Sequence, residues 1–127
     1  IFDPNFWENN QSKTMLGDSN MSNYFLFGKY ENGGARNASS DRTNLCKEIT
    51  TKYGGKFNSC WALLGDWDIV CQVEFPDNET AMKCAVAWNK CTGVEWTTCP
   101  AVDISTYDNF THEVWNEDTV PTYYDVN

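Results

Sequence analysis

Six cysteines are the residues of this chain with the most evident chemistry. An even set of cysteines can close disulfides, or it can supply thiolates to a metal. The chain has no Cys-x-x-Cys pair and a single histidine, so a zinc site built from Cys and His has little support. We therefore predict disulfide bonding, with buried unpaired thiols as the alternative. The cysteines concerned are Cys46, Cys60, Cys71, Cys84, Cys91 and Cys99.

Five Asn-x-Ser/Thr triplets, none with a central proline, are the second chemical feature and are acceptors for N-linked glycan. Their asparagines are Asn10, Asn20, Asn37, Asn78 and Asn109. Composition alone gives roughly two such triplets under this motif. Glycans and disulfides belong to the same oxidising, secretory route. The sequence thus predicts an extracellular glycoprotein that begins, at Ile1, after a secretory signal has been removed.

Acid–base and metal chemistry have little support. His112 is the only imidazole and lies near the C-terminus, outside the expected compact domain. Asp66 and Asp68 flank a predicted hairpin tip, where solvated carboxylates are the default. No Asp-x-Asp-x-Asp loop has the Gly and Glu spacing of a calcium site. We expect no catalytic residue, no metal site and no cofactor, and we expect that the protein is not an enzyme.

Net charge, the length of the apolar runs and the length of the chain each limit what kind of protein this is. The net charge is −9, and the nine Lys and Arg residues are scattered, so neither nucleic acid nor an acidic membrane surface is an expected partner. No apolar run approaches the roughly 20 residues that span a bilayer. A chain of 127 residues is long enough for one domain with a buried core.

The residue patterns predict elements in the order βαββαβ. Strands are expected at 24–29, 57–64, 67–75 and 94–102, with helices from Ser39 to Tyr53 and from Asn78 to Gly93. Right-handed crossovers convert this order into a four-stranded antiparallel sheet with both helices on one face, a ferredoxin-like α+β fold. We therefore predict a domain at 23–103, flanked by an N-terminal arm (1–22) and an acidic C-terminal arm (104–127).

A tight turn at Gly65-Asp66 would place Cys60 opposite Cys71 in a hairpin. Alternation then divides the hairpin into two faces. The face that the helices would cover carries Cys60, Ala62, Leu64, Trp67, Ile69, Cys71 and Val73. The other face carries Phe57, Ser59, Trp61, Leu63, Asp68, Val70, Gln72 and Glu74. From this second face, with Trp96 of the last strand, we predict a self-association face of Trp61, Leu63, Val70 and Trp96.

The same geometry bounds the disulfide pairing. Cys60 and Cys71 are predicted to meet across the hairpin. Cys84 of the second helix and Cys99 of the last strand are expected at similar positions along the strand direction, which favours a second disulfide between them. Cys46 and Cys91 remain. Both are expected on the core-facing sides of the helices, but at different positions along the strand direction. Their pairing is a hypothesis, with intermolecular disulfides as the alternative.

Residues 23–102 also resemble the GYD domain family, which is placed among the dimeric α/β-barrel folds. The matching segments are Tyr24-Phe25-Leu26-Phe27-Gly28-Lys29-Tyr30, Gly54-Gly55-Lys56, Leu64-Gly65-Asp66-Trp67-Asp68, Pro76-Asp77 and Thr98-Cys99-Pro100-Ala101. Trp67 stands where the family usually has tyrosine, and the cysteines, sequons and arms depart from the family pattern. The resemblance implies a ferredoxin-like fold and a sheet-to-sheet dimer, and it implies no catalytic residue.

These features together predict a secreted, glycosylated, disulfide-bonded structural protein. It would assemble with itself, as a filament or coat subunit, through its sheet face and aromatic arms. A small-molecule-binding protein or enzyme of the dimeric α/β-barrel type is the alternative, with a pocket lined by Tyr24, Trp61 or Trp96 and a buried carboxylate. A secreted carbohydrate-binding module that stacks sugars on exposed aromatics is the third hypothesis.

Overall fold

The computed structural model describes residues 20–31 and 38–123. They form β1 (Ser22–Lys29), α1 (Ser40–Lys52), β2 (Lys56–Ala62), β3 (Ile69–Phe75), α2 (Asn78–Thr92), β4 (Glu95–Ala101) and α3 (Ile104–Trp115). The strands make one antiparallel sheet in the order β2-β3-β1-β4. The predicted βαββαβ order and the ferredoxin-like α+β class are confirmed.

Strand β1 lies in the middle of the sheet because it is apolar on both sides. Tyr24 and Leu26 are buried and belong to the core, whereas Phe25 and Phe27 are half-buried. Successive side chains of a strand point to opposite faces, so Tyr24 and Leu26 meet the helices and the two phenylalanines face away from them. A strand that is apolar on both faces suits a position between two neighbours.

Helices α1 and α2 begin and end at residues whose side chains favour those positions. The Ser39 hydroxyl accepts a hydrogen bond from the Arg42 N–H, and the Asp77 carboxylate accepts one from the Thr80 N–H at 2.8 Å. Helix α2 ends at Gly93, whose φ of 73° lies in the left-handed region that glycine adopts without steric penalty. The predicted helix ends agree with the observed ones to within a residue or two.

The hairpin of β2 and β3 confirms the predicted register near its tip, where Cys60 lies opposite Cys71. Farther along β2 a bulge at Asn58 shifts the register by one residue. The extra residue turns Phe57 to the helix-covered face, where its ring lies 5.9 Å from that of Trp88. The predicted placement of Phe57 on the other face is therefore wrong.

Beyond Ala62 the hairpin leaves the regular ladder. The Leu63 N–H still donates to the Asp68 carbonyl at 2.9 Å, but Leu64 is fully exposed at the tip. The prediction that the helices cover Leu64 is wrong, because the turn begins before this residue reaches the core.

Trp88 of α2 is fully buried at the centre of the core. Its ring contacts Phe57 of β2 at 5.9 Å and Trp96 of β4 at 4.9 Å. Its Nε1 donates a hydrogen bond of 3.1 Å to the Cys46 carbonyl of α1. One side chain thus joins α2 to the other helix and to both edge strands of the sheet.

Helix α3 lies in the segment that we predicted as a C-terminal arm. All of its residues are exposed, and the Asp103 carboxylate caps it by accepting from the Thr106 N–H at 2.9 Å. The cap and the helical spacing of Ile104 and Tyr107 would have predicted this helix. The predicted N-terminal arm lies outside the described residues as far as residue 19. None of the helices that the structure describes is long and apolar enough to cross a membrane.

We expect Trp88→Ala to lower the free energy of unfolding by about 3–5 kcal/mol, because it removes a large buried ring and leaves a cavity. Urea denaturation followed by circular dichroism measures this change. Glu48→Ala, at an exposed site on α1, is the control and should change stability by less than about 0.5 kcal/mol. An unfolding midpoint for Trp88→Ala equal to that of the wild type would contradict the central role of this ring.

Candidate functional site

The sheet face that points away from α1 and α2, here named the open face, is the first candidate site. Its central residues are Phe25, Phe27, Ser59, Trp61, Val70, Gln72, Thr97 and Cys99. Phe25, Phe27 and Val70 are half-buried, and Trp61 is 65% exposed. Trp67 of the hairpin tip contacts Phe27 with 5.7 Å between ring centroids, so the prediction that the helices cover Trp67 is wrong. Among the described elements, no helix packs against this face.

Two of the predicted self-association residues, Trp61 and Val70, lie opposite each other on the open face, and Leu63 follows them at the tip. Trp96 does not belong to this face. It pairs with Gly28 and faces the helices, where it packs against Trp88. Gly28 makes room for it, since a Cβ there would lie 2.7 Å from the indole ring.

Hydrogen bonds join the hairpin tip to the end of β1. The Asp68 carboxylate accepts a hydrogen bond of 2.7 Å from the Tyr30 N–H, and the Asp68 N–H donates to the Gly28 carbonyl at 2.9 Å. The Lys29 ammonium donates to the Asp66 carbonyl. Asp66 is exposed as predicted, but Asp68 is half-buried and holds backbone groups, so the prediction of a solvated carboxylate there is wrong.

The thiols of Cys60 and Cys71 form the second candidate site. Their Sγ atoms lie 3.1 Å apart, with the Cys71 thiol donating. This hydrogen bond lowers the pKa of Cys60 to about 7, with a smaller contribution from Lys47. The same hydrogen bond, together with burial, raises the pKa of Cys71. All six cysteines are free thiols in this structure, and this pair is placed for the predicted cross-strand disulfide.

The other cysteines divide between the two sides of the sheet. Burial raises the pKa of Cys46 to about 12, and the Cys91 thiol adds to the shift. The pairing of Cys46 with Cys91 stays a prediction. Cys84 lies on the core-facing side of α2 and is fully buried. Cys99 pairs with Phe25 on the open face. The predicted pairing of Cys84 with Cys99 is wrong, because the sheet lies between them.

A cavity of about 70 Å³ lies between α1 and the sheet. Three thiols, those of Cys46, Cys60 and Cys71, contribute to its lining. Trp96 also lines it, and the Nε1 of this residue is buried without a hydrogen-bond partner among the described residues. The pocket expected for an enzyme included Tyr24, Trp61 or Trp96 with a buried carboxylate. Of these groups, only Trp96 lines this cavity.

The remaining titratable and metal-ligating residues form no further site. His112 is exposed on α3. Within residues 20–31 and 38–123, no group of three or more His, Cys, Asp or Glu side chains is arranged to hold a metal ion.

Three of the five sequons lie on described residues, and each asparagine is exposed. Asn20 precedes β1, and Asn78 begins α2. Asn109 lies within α3, rather than in an arm without secondary structure. The Asn78 Oδ1 accepts a hydrogen bond of 2.7 Å from the Tyr24 hydroxyl, which leaves its amide nitrogen for modification. Asn10 and Asn37 lie outside the described residues.

An antiparallel four-stranded sheet with two helices on one face and aromatic residues on the other defines a ferredoxin-like α+β protein. The sequence matches the GYD domain over residues 24–111, more than half of the chain, and the protein belongs to this family. The match extends past residue 102, where the resemblance ended, into α3. Comparison with curated proteins gave no match.

We expect Cys60 of the reduced protein to react with iodoacetamide increasingly fast as the pH rises through about 7, because only the thiolate attacks. Cys71→Ala removes the donating thiol and should move this rise to higher pH. Peptide mass spectrometry after quenched labelling measures the rate at Cys60. Cys99→Ala, on the other side of the sheet, should leave the profile unchanged. An unshifted profile in Cys71→Ala would contradict the assigned cause.

Proposed function

We propose that this protein is a secreted, N-glycosylated, disulfide-bonded structural subunit that associates with copies of itself through the open face. The observation that carries the proposal is the row of apolar side chains on that face: Phe25, Phe27, Trp61 and Val70. A contiguous apolar surface of this kind marks an interaction site in a water-soluble domain. Filament or coat formation is the assembly proposed.

A second copy suits this surface for physical reasons. Two sheets pack face to face at a separation of about 10 Å, with the side chains of their facing surfaces interdigitating. A two-fold contact uses the same patch twice, so the patch must complement itself, and a mainly apolar patch meets this condition without charge repulsion. Tryptophan is enriched among the residues that dominate binding energy, which makes the exposed Trp61 the principal candidate. The sheet-to-sheet dimer implied by the GYD family supports the same arrangement.

The chemistry outside the open face supports the proposed compartment. Asn20, Asn78 and Asn109 are exposed and lie outside the four strands, so glycans at these positions would leave the open face accessible. The close thiols of Cys60 and Cys71 need only an oxidising environment to form a disulfide.

A small-molecule-binding protein or enzyme of the dimeric α/β-barrel type is the second candidate function. The observation that favours it is the buried, unpartnered Trp96 Nε1 beside the thiol-lined cavity. A cavity of about 70 Å³ is far smaller than the roughly 300 Å³ or more of common ligand pockets. A second pocket that Trp96 lines has about 450 Å³, but its carboxylate residue, Glu95, is exposed and not buried as this function was expected to require. Self-association therefore remains the proposal that the geometry favours.

We expect Trp61→Glu to weaken self-association at least about tenfold, because it buries a charge in the proposed interface. Light scattering coupled to size-exclusion chromatography over a concentration series measures the effect. Leu64→Glu adds the same charge to the same hairpin at a fully exposed position and should leave association unchanged. A wild-type protein that stays monomeric at high concentration would overturn the proposal.

Glycosylation can be tested separately by intact mass. We expect protein secreted from eukaryotic cells to exceed the 14.5 kDa of the polypeptide and to fall close to that mass after enzymatic removal of N-glycans. Substitution of the sequon threonine in Thr80→Ala should remove the glycan at Asn78 alone. A secreted protein with the bare polypeptide mass would contradict this part of the proposal.

A further inference from the structure

Helix α3 carries an apolar stripe that its own domain does not cover. Helical spacing aligns Ile104, Tyr107, Phe110 and Val114 along one side, and these residues are 40–72% exposed. The rings of Tyr107 and Phe110 are in contact, with 5.2 Å between centroids, so the stripe is continuous. Helix α3 has at most marginal contact with the other described elements. The stripe therefore lacks the cover that an amphipathic helix normally has.

A matching apolar groove lies on the outer side of α2, beside the end of α1. Met82 and Val86 contribute exposed apolar side chains, and Tyr53 extends the surface toward α1. Lys83 and Lys90 also line the groove. This side of α2 is opposite the core-facing side, so the fold itself leaves it open.

The charges around α3 and around the groove indicate which segment the groove would bind. Residues 103–118, which include α3, have five carboxylates and no Lys or Arg: Asp103, Asp108, Glu113, Glu117 and Asp118. Asp108 borders one side of the apolar stripe, and Glu113 borders the other. Lys83 also interacts electrostatically with the Asp77 carboxylate at the start of α2. An acidic amphipathic helix and an apolar groove with two lysines are complementary, although Glu79 also lines the groove.

We propose that α3 of one copy docks its apolar stripe into the α1/α2 groove of a second copy. A helix of 12 residues is about 18 Å long, enough to run along the segment of α2 from Met82 to Lys90. Glycan at Asn109 would lie on the polar side of α3 and leave the stripe free.

This contact rests on the proposed self-association and adds a second interface to it. The stripe and the groove are different surfaces, so the contact is head-to-tail and can repeat without closing. Together with a two-fold contact through the open face, it extends dimers into a longer assembly.

The test uses two full-length variants that each retain half of the interface. Phe110→Glu disables the stripe but keeps the Asn-x-Thr sequon, and Val86→Glu disables the groove at an exposed site. Each variant alone should associate at least about tenfold more weakly than the wild type. Both are made in the Trp61→Glu background, so that only the α3 contact is measured, by sedimentation velocity. The control Ser105→Glu, on the polar side of α3, should behave as its parent.

Mixing the two variants is the decisive step. A 1:1 complex should form, because the intact stripe of Val86→Glu can enter the intact groove of Phe110→Glu, and it should not grow further. Two defective variants with no complex on mixing would overturn the proposal. If Trp61→Glu alone abolishes association, and if Phe110→Glu in the otherwise native chain associates as the wild type does, the open-face contact stands and the α3 contact is overturned. If Trp61→Glu has no effect but Phe110→Glu weakens association, the open-face contact fails and the α3 contact stands.

Discussion

The burial of Trp88 is the interaction on which the rest of the structure depends. Its ring packs between Phe57 and Trp96 from the two edge strands, and its N–H donates to the Cys46 carbonyl of α1. A buried indole stabilises a fold through its large apolar area, provided that its N–H finds an acceptor. Because one side chain meets both conditions here, α1, α2 and one face of the sheet are held together.

This arrangement concentrates the apolar residues of both helices on a single sheet face. The opposite face still carries Phe25 and Phe27, since a central strand that is apolar on both sides cannot be covered by helices on one side only. The open face is thus a direct consequence of the core. The same asymmetry separates the cysteines, with Cys99 on the open face and Cys84 under the helices.

Helices α2 and α3 also leave apolar side chains exposed on their outer sides. The face of α2 opposite the core exposes Met82 and Val86, and α3 exposes an apolar stripe. These surfaces are distinct from the open face and complementary in charge to each other. The proposed contact of the open face with its own copy, and the proposed contact of α3 with α2 of another copy, would together supply the contacts that an extended assembly needs. The exposed sequons lie outside the open face, which is consistent with such an assembly.

The sequence by itself determined the order of elements, the helix caps and the position of Cys60 opposite Cys71. These depend on local rules, namely apolar periodicity, N-cap side chains and turn geometry, that act over a few residues. Only the tertiary structure decided which face each side chain occupies where the local register changes. The bulge at Asn58 turned Phe57 inward, the pairing with Gly28 turned Trp96 toward Trp88, and the sheet separated Cys84 from Cys99. Such outcomes depend on how strands pair over long sequence distances, because a shift of one residue moves a side chain to the opposite face.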